Sequence, residues 1–189
     1  MHEERSHSDE LILKLILDDH DDEGFKMLVS NYQESLYCHI RRMVHLHEDA
    51  NDVLQNTFIK VYKNIYGFKR ESKLFTWMYR IATNESINFL NKKKKHKKND
   101  SEESLQILEN SLKADQYFDP NEINIELQKA ISTLPDKQKS VFTMRYYDDL
   151  TYQEMSQILE TSVGALKSSY HHAVKKIESY LKERVNYVR

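Results

Sequence analysis

The sequence is poor in the residues that form tight turns and cross-links in small β-proteins. Its 189 residues include only 3 Gly, 2 Pro and 1 Cys. Tight turns between short strands use Gly, Pro and Asn or Asp at fixed positions, so this composition argues against a sandwich or a barrel. Cys38 has no second cysteine for an internal disulfide bond. These shortages exclude a disulfide scaffold and predict an all-helical protein.

Long apolar runs are also missing. The longest, residues 11–17, is interrupted by Lys14 and is far shorter than the roughly 20 residues that span a bilayer. The first ten residues are strongly charged and contain no apolar core of a signal peptide. We therefore expect no membrane insertion and a cytoplasmic location.

Charge is distributed unevenly, although the net charge is only −2. Residues 60–98 carry 12 basic and 2 acidic side chains, whereas residues 99–126 carry 1 basic and 8 acidic side chains. The basic stretch also holds 7 of the 20 aromatic residues. Cations interleaved with aromatics suit unstacked bases on a phosphate backbone, although the lysine run 92–98 alone is equally typical of a solvated tail. The basic stretch is therefore a candidate for nucleic-acid binding, and its acidic neighbour is not.

Apolar periodicity predicts a first helical unit and a linker. Residues 25–43 and 50–65 have helical spacing, and a third helix is predicted from an N-cap at Ser72 to residue 91. One face of this third helix is mostly apolar. Residues 96–119 lack strong periodicity and are predicted to form an acidic linker with at most one weak helix, over residues 105–112.

The other face of the third helix carries Trp77, Arg80, Asn84 and Asn88. A lone Trp is more often part of a core than functional. Here it lies off the apolar stripe and in line with an Arg and two Asn, which favours a functional face.

A second unit ends in a helix-turn-helix pattern. It is predicted to begin at Asp119-Pro120, an N-cap followed by Pro at the first helical position, and to continue through a helix opened by Leu134-Pro135. Thr151 and Glu154 form a capping box, and a longer helix follows the turn at residues 160–162. The exposed side of this last helix has the donors and cations that a recognition helix needs, although any amphipathic helical hairpin shares the spacing. These are Lys167, Ser168, His171, His172 and Lys175.

Three segments resemble motifs of one protein family. Residues 49–58 read DANDVLQNTF, residues 74–84 read LFTWMYRIATN, and residues 150–168 read LTYQEMSQILETSVGALKS. They are similar, in the same order, to DAEDLVQETF, FRTWLYRIARN and LSYEEIAEIL…SVGTVKS of the extracytoplasmic-function sigma factors of bacterial RNA polymerase. This group of the sigma-70 family keeps only region 2 and region 4. The resemblance runs from about residue 8 to residue 183 and leaves mainly the linker unmatched.

The resemblance implies a promoter-specificity subunit built from two small helical domains. Region 2 would occupy residues 8–95, the linker 96–119, and region 4, a helix-turn-helix, 120–184. Region 2 would contact the clamp helices of the largest polymerase subunit through Asp49, Asp52, Val53, Gln55 and Asn56. It would capture and melt the minus-ten element through Phe68, Lys69, Arg70, Lys73, Trp77, Arg80, Asn84 and Asn88. Region 4 would read the minus-35 duplex through Val163, Gly164, Ala165, Lys167, Ser168, His171, His172 and Lys175.

The resemblance also implies binding partners and implies that the protein catalyses no reaction by itself. The expected partners are the polymerase core, including the flap of the second-largest subunit, promoter DNA and an anti-sigma factor. No catalytic residue, cofactor or metal ion is expected. One departure bears on DNA affinity: the family often has Arg at the positions of Ser169, His172 and Val174, so phosphate binding here is predicted to be weaker or pH-sensitive through the two histidines.

Two other classes of function remain open at this point. A free-standing DNA-binding regulator would explain the second unit but would leave the basic, aromatic third helix unexplained. A metalloenzyme would start from His45, His47, Asp49 and Asp52, which lie within eight positions. Residues two apart on a helix do not share a face, and no nucleophile and base accompany these four. Whether the two units pack against each other is also open, since the basic stretch and an acidic neighbour could mask one another.

Overall fold

The computed structural model describes residues 2–18, 20–96, 101–113 and 121–185. Across these ranges the regular structure is entirely helical, which confirms the predicted fold class. None of the helices found there has the length and apolar character needed to cross a membrane. In chain order the elements are α1 (His2–Leu17), α2 (Asp21–Val44), α3 (His47–Asn64), a 3₁₀ turn (Ile65–Gly67), α4 (Leu74–His96), α5 (Ser101–Lys113), α6 (Glu122–Ser132), α7 (Asp136–Tyr146), α8 (Tyr152–Leu159) and α9 (Val163–Val185).

The first unit is a bundle in which α2 packs against α1, α3 and α4. Apolar residues at helical spacing supply its core, including Leu28, Leu36 and Ile40, each fully buried. Helix α1 crosses α2 closely at Gly24, where a Cβ atom would lie 2.7 Å from Cγ1 of Ile16. Gly24 therefore permits a contact that any larger residue would disturb.

The second unit is formed by α6 to α9. Ile131, Phe142, Ala173 and Ile177 pack in a cluster that joins α6, α7 and α9. Helix α8 begins with the predicted capping box: the Thr151 hydroxyl accepts from the Glu154 amide at 3.2 Å. The Glu154 carboxylate in turn accepts from the Thr151 amide at 3.0 Å. These bonds satisfy amides that the first turn of a helix leaves without intrahelical partners.

Some predicted boundaries shift in the structure. Helix α4 continues to His96 rather than ending at residue 91. Helix α6 has Asn121 as its N-cap, with the Asn121 side chain accepting from the Asn124 amide at 2.8 Å, instead of the predicted cap at Asp119. Asp119 and Pro120 lie outside the described residues.

The linker contains a docked helix. Helix α5 has 13 residues, more than the weak helix predicted over residues 105–112. Leu108 and Leu112 are each 4% exposed, and Arg41 of α2 donates to the Ser111 hydroxyl at 3.1 Å. Lys129 of α6 pairs with Glu109 at 2.5 Å. Docking onto the two units therefore stabilises a helix whose own sequence signal is weak.

The two units share one core. Buried residues of the second unit, among them Met144, Met155 and Ile158, belong to the same continuous cluster as the core of the first unit. Helix α8 packs against α4, and α7 packs against α2. The question left open by the sequence is thus answered for this structure: the units are packed together.

Candidate nucleic-acid interface

The predicted minus-ten residues lie on a loop and on one face of the following helix. The 3₁₀ turn closes with the Phe68 amide donating to the Ile65 carbonyl at 3.0 Å, and Arg70 takes a positive φ of 57°. This loop leads into α4, whose spacing places Trp77, Arg80 and the two Asn residues on one side. Six of the eight predicted residues are exposed: Lys69, Arg70, Lys73, Arg80, Asn84 and Asn88.

The two aromatic members of this set are half-buried together. The rings of Phe68 and Trp77 are 5.2 Å apart between centroids and inclined by 42°. Trp77 packs only at the edge of the core, whereas Met78 beside it is fully buried. Trp77 is thus a supported ring that remains partly accessible, as a stacking platform requires.

A cleft of about 410 Å³ opens beside this pair. One wall includes Phe68, Trp77 and Arg80 from the first unit, and the opposite wall includes Gln157 and Glu160 from the end of α8. Arg80 and Glu160 form an ion pair across the cleft. In the same region, Lys73 lies 3.6 Å from the capping-box residue Glu154. Two cations of the predicted DNA face, Arg80 and Lys73, are therefore paired with carboxylates of the second unit.

The last helix of the second unit presents the predicted minus-35 residues to solvent. Leu166, Ala173 and Ile177 bury its packing side. The Ser162 hydroxyl accepts from the Ala165 amide at 3.3 Å at the start of α9. Of the predicted contacts only Val163 is half-buried, and the exposed ones are Gly164, Ala165, Lys167, Ser168, His171, His172 and Lys175.

The predicted polymerase face on α3 is only partly available. Asp52, Gln55 and Asn56 are exposed, whereas Asp49 is half-buried and pairs with Lys93 of α4. Val53 is 2% exposed and lies in the core, because α3 packs against α2 and α4 at once. The predicted direct contact by Val53 therefore does not fit this structure.

Sequence reasoning missed two exposed residues along the same helix. Ile59 is 45% exposed and Tyr62 is 46% exposed, one and two turns beyond Gln55. Their exposure could have been predicted from the sequence, because both side chains are large and apolar and both fall outside the apolar stripe of α3. They extend the Asp52, Gln55 and Asn56 surface with apolar area.

The candidate metal ligands have separate partners. His47 lies 2.6 Å from the Tyr37 hydroxyl and 3.0 Å from the Asn51 amide nitrogen, while Asp49 pairs with Lys93. Nowhere in the part of the chain that is described do three potential ligands converge. The four candidate ligands, although close in sequence, therefore do not form a metal site in the structure.

His45 ends α2 with a φ of 71° and contacts the second unit. Its Nε2 lies 3.2 Å from Nζ of Lys139 on α7. Burial, followed by the nearby charges of Lys139, Arg41 and Lys93, holds the pKa of His45 well below its ordinary value of 6.5. A neutral His45 can accept a hydrogen bond from Lys139.

A second histidine joins the units through a buried ionic network. His39 on α2 has no exposed surface, and its Nδ1 lies 2.7 Å from Asp148, just after α7. Asp148 also accepts from Arg42 at 2.8 Å. The Thr83 hydroxyl donates to the Tyr79 carbonyl at 2.7 Å and lies 3.0 Å from Nε2 of His39. The His39 ring therefore bridges Asp148, just after α7, and Thr83 of α4.

Comparisons with known proteins match both units. The family model "Sigma-70 region 2" matches residues 28–96, and "Sigma-70, region 4" matches residues 124–177. The chain is 32% identical over 171 residues to the ECF RNA polymerase sigma factor SigW of Bacillus subtilis, covering 86% of this chain and 91% of that protein. It is 31% identical over 167 residues to the ECF RNA polymerase sigma-E factor of Haemophilus influenzae, covering 84% and 88%.

Two solved structures share the fold. The sigma factor RpoE in complex with the anti-sigma factor NepR from Bartonella quintana gives a TM-score of 0.65 at 20% identity, covering 84% of this chain and 96% of that chain. CnrH in complex with the cytosolic domain of CnrY gives a TM-score of 0.69 at 16% identity, covering 94% and 99%.

Proposed function

The chain belongs to the extracytoplasmic-function sigma factors of the sigma-70 family, and from that membership we propose which of its surfaces contact polymerase and promoter. As a sigma factor it is a promoter-specificity subunit of bacterial RNA polymerase that directs the core enzyme to a subset of promoters. We assign region 2 to residues 8–95, the linker to residues 96–119 and region 4 to residues 120–184. The observation that carries the residue-level proposal is that the first unit has a cationic, aromatic face and the second unit has an exposed helix with donors and cations.

The first surface captures the minus-ten strand. Cations on the loop and on α4 hold the phosphates, and the Phe68–Trp77 pair stacks an unstacked base. Flipping a base costs roughly a few kcal/mol. A stacked base returns roughly 1 to 3 kcal/mol. Because the two terms are similar, stacking offsets most of the cost of flipping, and the phosphate contacts of the cations add further binding free energy, so melting needs no ATP.

The second surface reads the minus-35 duplex. The exposed side of α9 enters the major groove, where Lys167 and Lys175 neutralise phosphates or contact bases, and Ser168 and the two histidines offer hydrogen bonds. Small residues at Gly164 and Ala165 let the start of the helix approach the base edges closely. This surface gives the subunit its duplex specificity.

The third surface binds the core enzyme. Asp52, Gln55 and Asn56 on α3 suit a basic helical partner, the clamp helices of the largest subunit, and Ile59 and Tyr62 add apolar contact area. The second unit contacts the flap of the second-largest subunit. An anti-sigma factor is the expected regulator, since one structural neighbour was solved in a complex with the anti-sigma factor NepR. In this proposal the chain acts in the cytoplasm, needs no cofactor and has no catalytic residue.

The test is core binding followed by run-off transcription. Purified chain is added to cognate core polymerase on a library of genomic promoters, and new start sites are mapped with and without it. Asp52→Lys should weaken core association about tenfold, because it places a cation against a basic partner. Its matched control is Glu10→Lys, which makes the same charge change at an exposed position on α1. Absence of core binding, or equal loss in both variants, would contradict the proposed surface.

A further inference from the structure

The cleft beside Trp77 has the size and the position of a small-molecule site. Its volume is about 410 Å³, and Phe68 and Trp77 of the first unit line one wall. Ser156 and Gln157 of α8 line the other wall. Ligand sites are commonly clefts of roughly 300 to 1,000 Å³ at the junction of two units, in which a few polar groups accompany aromatic side chains. The minus-ten strand accounts for the first wall and gives the second wall no role.

The aromatic wall suits a planar ring. The rings of Phe68 and Trp77 support each other, and both side chains are half-buried, so part of each ring remains accessible from the cleft. A planar heterocycle can stack on the indole, whereas a saturated ligand of the same size lacks this contact. The aromatic wall therefore favours a nucleobase or a ring of similar shape.

Polar groups on both walls suit the edge of a nucleobase. The amide of Gln157 is exposed and can donate and accept hydrogen bonds at once. Thr76 of α4 also lines the cleft but is only 2% exposed, and its hydroxyl has no hydrogen-bond partner among the residues that the structure describes. Buried polar groups without a partner are uncommon in folded proteins. A heterocycle with donors and acceptors along its edge would supply the missing partner.

The charges of the cleft disfavour a polyphosphate. The lining contains two cations, Lys69 and Arg80, and two carboxylates, Glu71 and Glu160. Arg80 and Glu160 pair with each other. Because cations and carboxylates are equal in number, a chain of phosphates would lie beside two carboxylates without a surplus of positive charge. A neutral ligand meets no such repulsion.

We propose that this cleft binds a free nucleoside, with its base stacked on Trp77 and its polar edge against Thr76 and Gln157. The site goes beyond the proposed function, because its ligand is a small molecule and its second wall belongs to α8. A nucleoside that contacts both units stabilises the arrangement that binds it. It also occupies the indole that the minus-ten strand uses, a consequence that rests on the proposed function. The site therefore couples nucleoside concentration to capture of the strand.

Calorimetric titration of the full-length chain with adenosine, guanosine, cytidine and uridine tests the site. At least one nucleoside should bind with a Kd below about 1 mM and change the fluorescence of Trp77, the sole tryptophan. Gln157→Ala should weaken that binding about two- to tenfold, the range expected for loss of a hydrogen bond. Its matched control is Gln153→Ala, which truncates an exposed glutamine in the first turn of the same helix. Absence of binding by all four nucleosides, or equal loss in both variants, would overturn the proposal.

A second variant separates ligand binding from folding. Thr76→Val keeps the shape of the side chain and removes only the hydroxyl, so nucleoside affinity should fall several-fold. The melting temperature should not fall, because this hydroxyl has no described partner to lose. Thr57→Val is the contrast, since the buried Thr57 hydroxyl donates to the Val53 carbonyl at 2.8 Å and lies outside the cleft. It should lower stability and keep nucleoside affinity. Parent-like nucleoside affinity in Thr76→Val would contradict the proposed site.

A further arm distinguishes a free nucleoside from a base within DNA. Binding of a labelled mixed-sequence single strand of about 12 nucleotides is followed by fluorescence anisotropy. Gln157→Ala should leave strand affinity unchanged, because the proposed strand contacts lie on the first unit alone. Added nucleoside should lower strand binding by the parent chain. Equal losses of strand and nucleoside affinity in Gln157→Ala would assign the cleft to the strand and overturn the proposal.

The nucleoside site and the proposed function fail in different ways. Run-off transcription with saturating core polymerase measures the proposed function for the parent chain and for Gln157→Ala. Normal transcription by both, without nucleoside binding by the parent, would reject only the nucleoside site. Absent transcription by the parent would reject the proposed function, and the calorimetric titration would still decide the nucleoside site.

Discussion

The ring of Trp77 packs against the ring of Phe68, with 5.2 Å between their centroids and 42° between their planes. One residue comes from the loop after the 3₁₀ turn and the other from the first turn of α4, so the contact fixes the loop to the helix. It also fixes the direction of the indole, which faces the cleft. A base that enters there meets a ring already held in position.

Trp77→Ala should impair promoter opening more than closed-complex binding. The substitution removes a stacking surface worth roughly 1 to 3 kcal/mol per base, and only unstacked bases use it. Opening is measured by permanganate reactivity of unpaired thymines, and closed complexes by filter binding at low temperature. Tyr146→Ala, which removes an exposed aromatic ring on α7, should leave the ratio of the two unchanged. Equal loss of both steps in Trp77→Ala would contradict the role.

Lys167→Glu should weaken binding to the minus-35 duplex while leaving polymerase association intact. The Lys167 side chain is exposed on the recognition side of α9, and each lost phosphate contact lowers the salt slope by about 0.9. Duplex affinity of holoenzyme is measured at several salt concentrations beside core affinity. Lys182→Glu, in the last turns of the same helix, is the charge-matched control. Reduced core affinity in Lys167→Glu alone would mean that this face also contacts polymerase.

His45 should make the protein less stable below pH 6.5. Its pKa is lowered in the folded state, chiefly by burial and then by Lys139, so the unfolded chain binds a proton that the folded chain does not. The free energy of unfolding attributable to His45 is therefore fully present above pH 6.5 and declines below it, by at most about 1.4 kcal/mol per pH unit. Urea unfolding at pH 7.5 and 5.5 measures the difference.

The matched comparison for this effect is between two glutamine variants. His45→Gln should lose less stability than the parent chain over the same pH range, because its side chain does not titrate. His20→Gln, at an exposed site before α2, should behave like the parent. A parent-like response in His45→Gln would assign the acid sensitivity to other groups.

Local sequence signals predicted the helices. The pairing between residues far apart in the sequence could not be predicted from such signals. The Thr151–Glu154 capping box joins residues three apart and was predicted directly. The cap of α6 was not predicted correctly, because Asp119 and Asn121 are both good capping residues. Asp148 and His39 lie 109 residues apart, so no periodicity predicts their pairing.

The candidate surfaces were predicted as far as exposure follows from one helix. Helix α9 packs on one side only, and the residues predicted on its opposite side are exposed, whereas Val163, which was also predicted as a DNA contact, is half-buried. The exposure of Val53 was predicted wrongly because α3 packs against both α2 and α4. A single apolar stripe in the sequence does not show that a helix has two packing partners. The pairing of Arg80 with Glu160 depends on how two units meet, which is a property of the tertiary fold alone.

The docked α5 lies between the two units in the chain and contributes to how far they can separate. Its 13 residues span about 20 Å as a helix and up to about 45 Å when fully extended. Release of Leu108 and Leu112 from their buried positions therefore adds about 25 Å of tether, equivalent to roughly seven base pairs of duplex at 3.4 Å each. We therefore predict that the reach between the two proposed DNA-binding surfaces depends on whether α5 remains helical, so that folding of this helix is linked to the promoter spacing that the subunit tolerates.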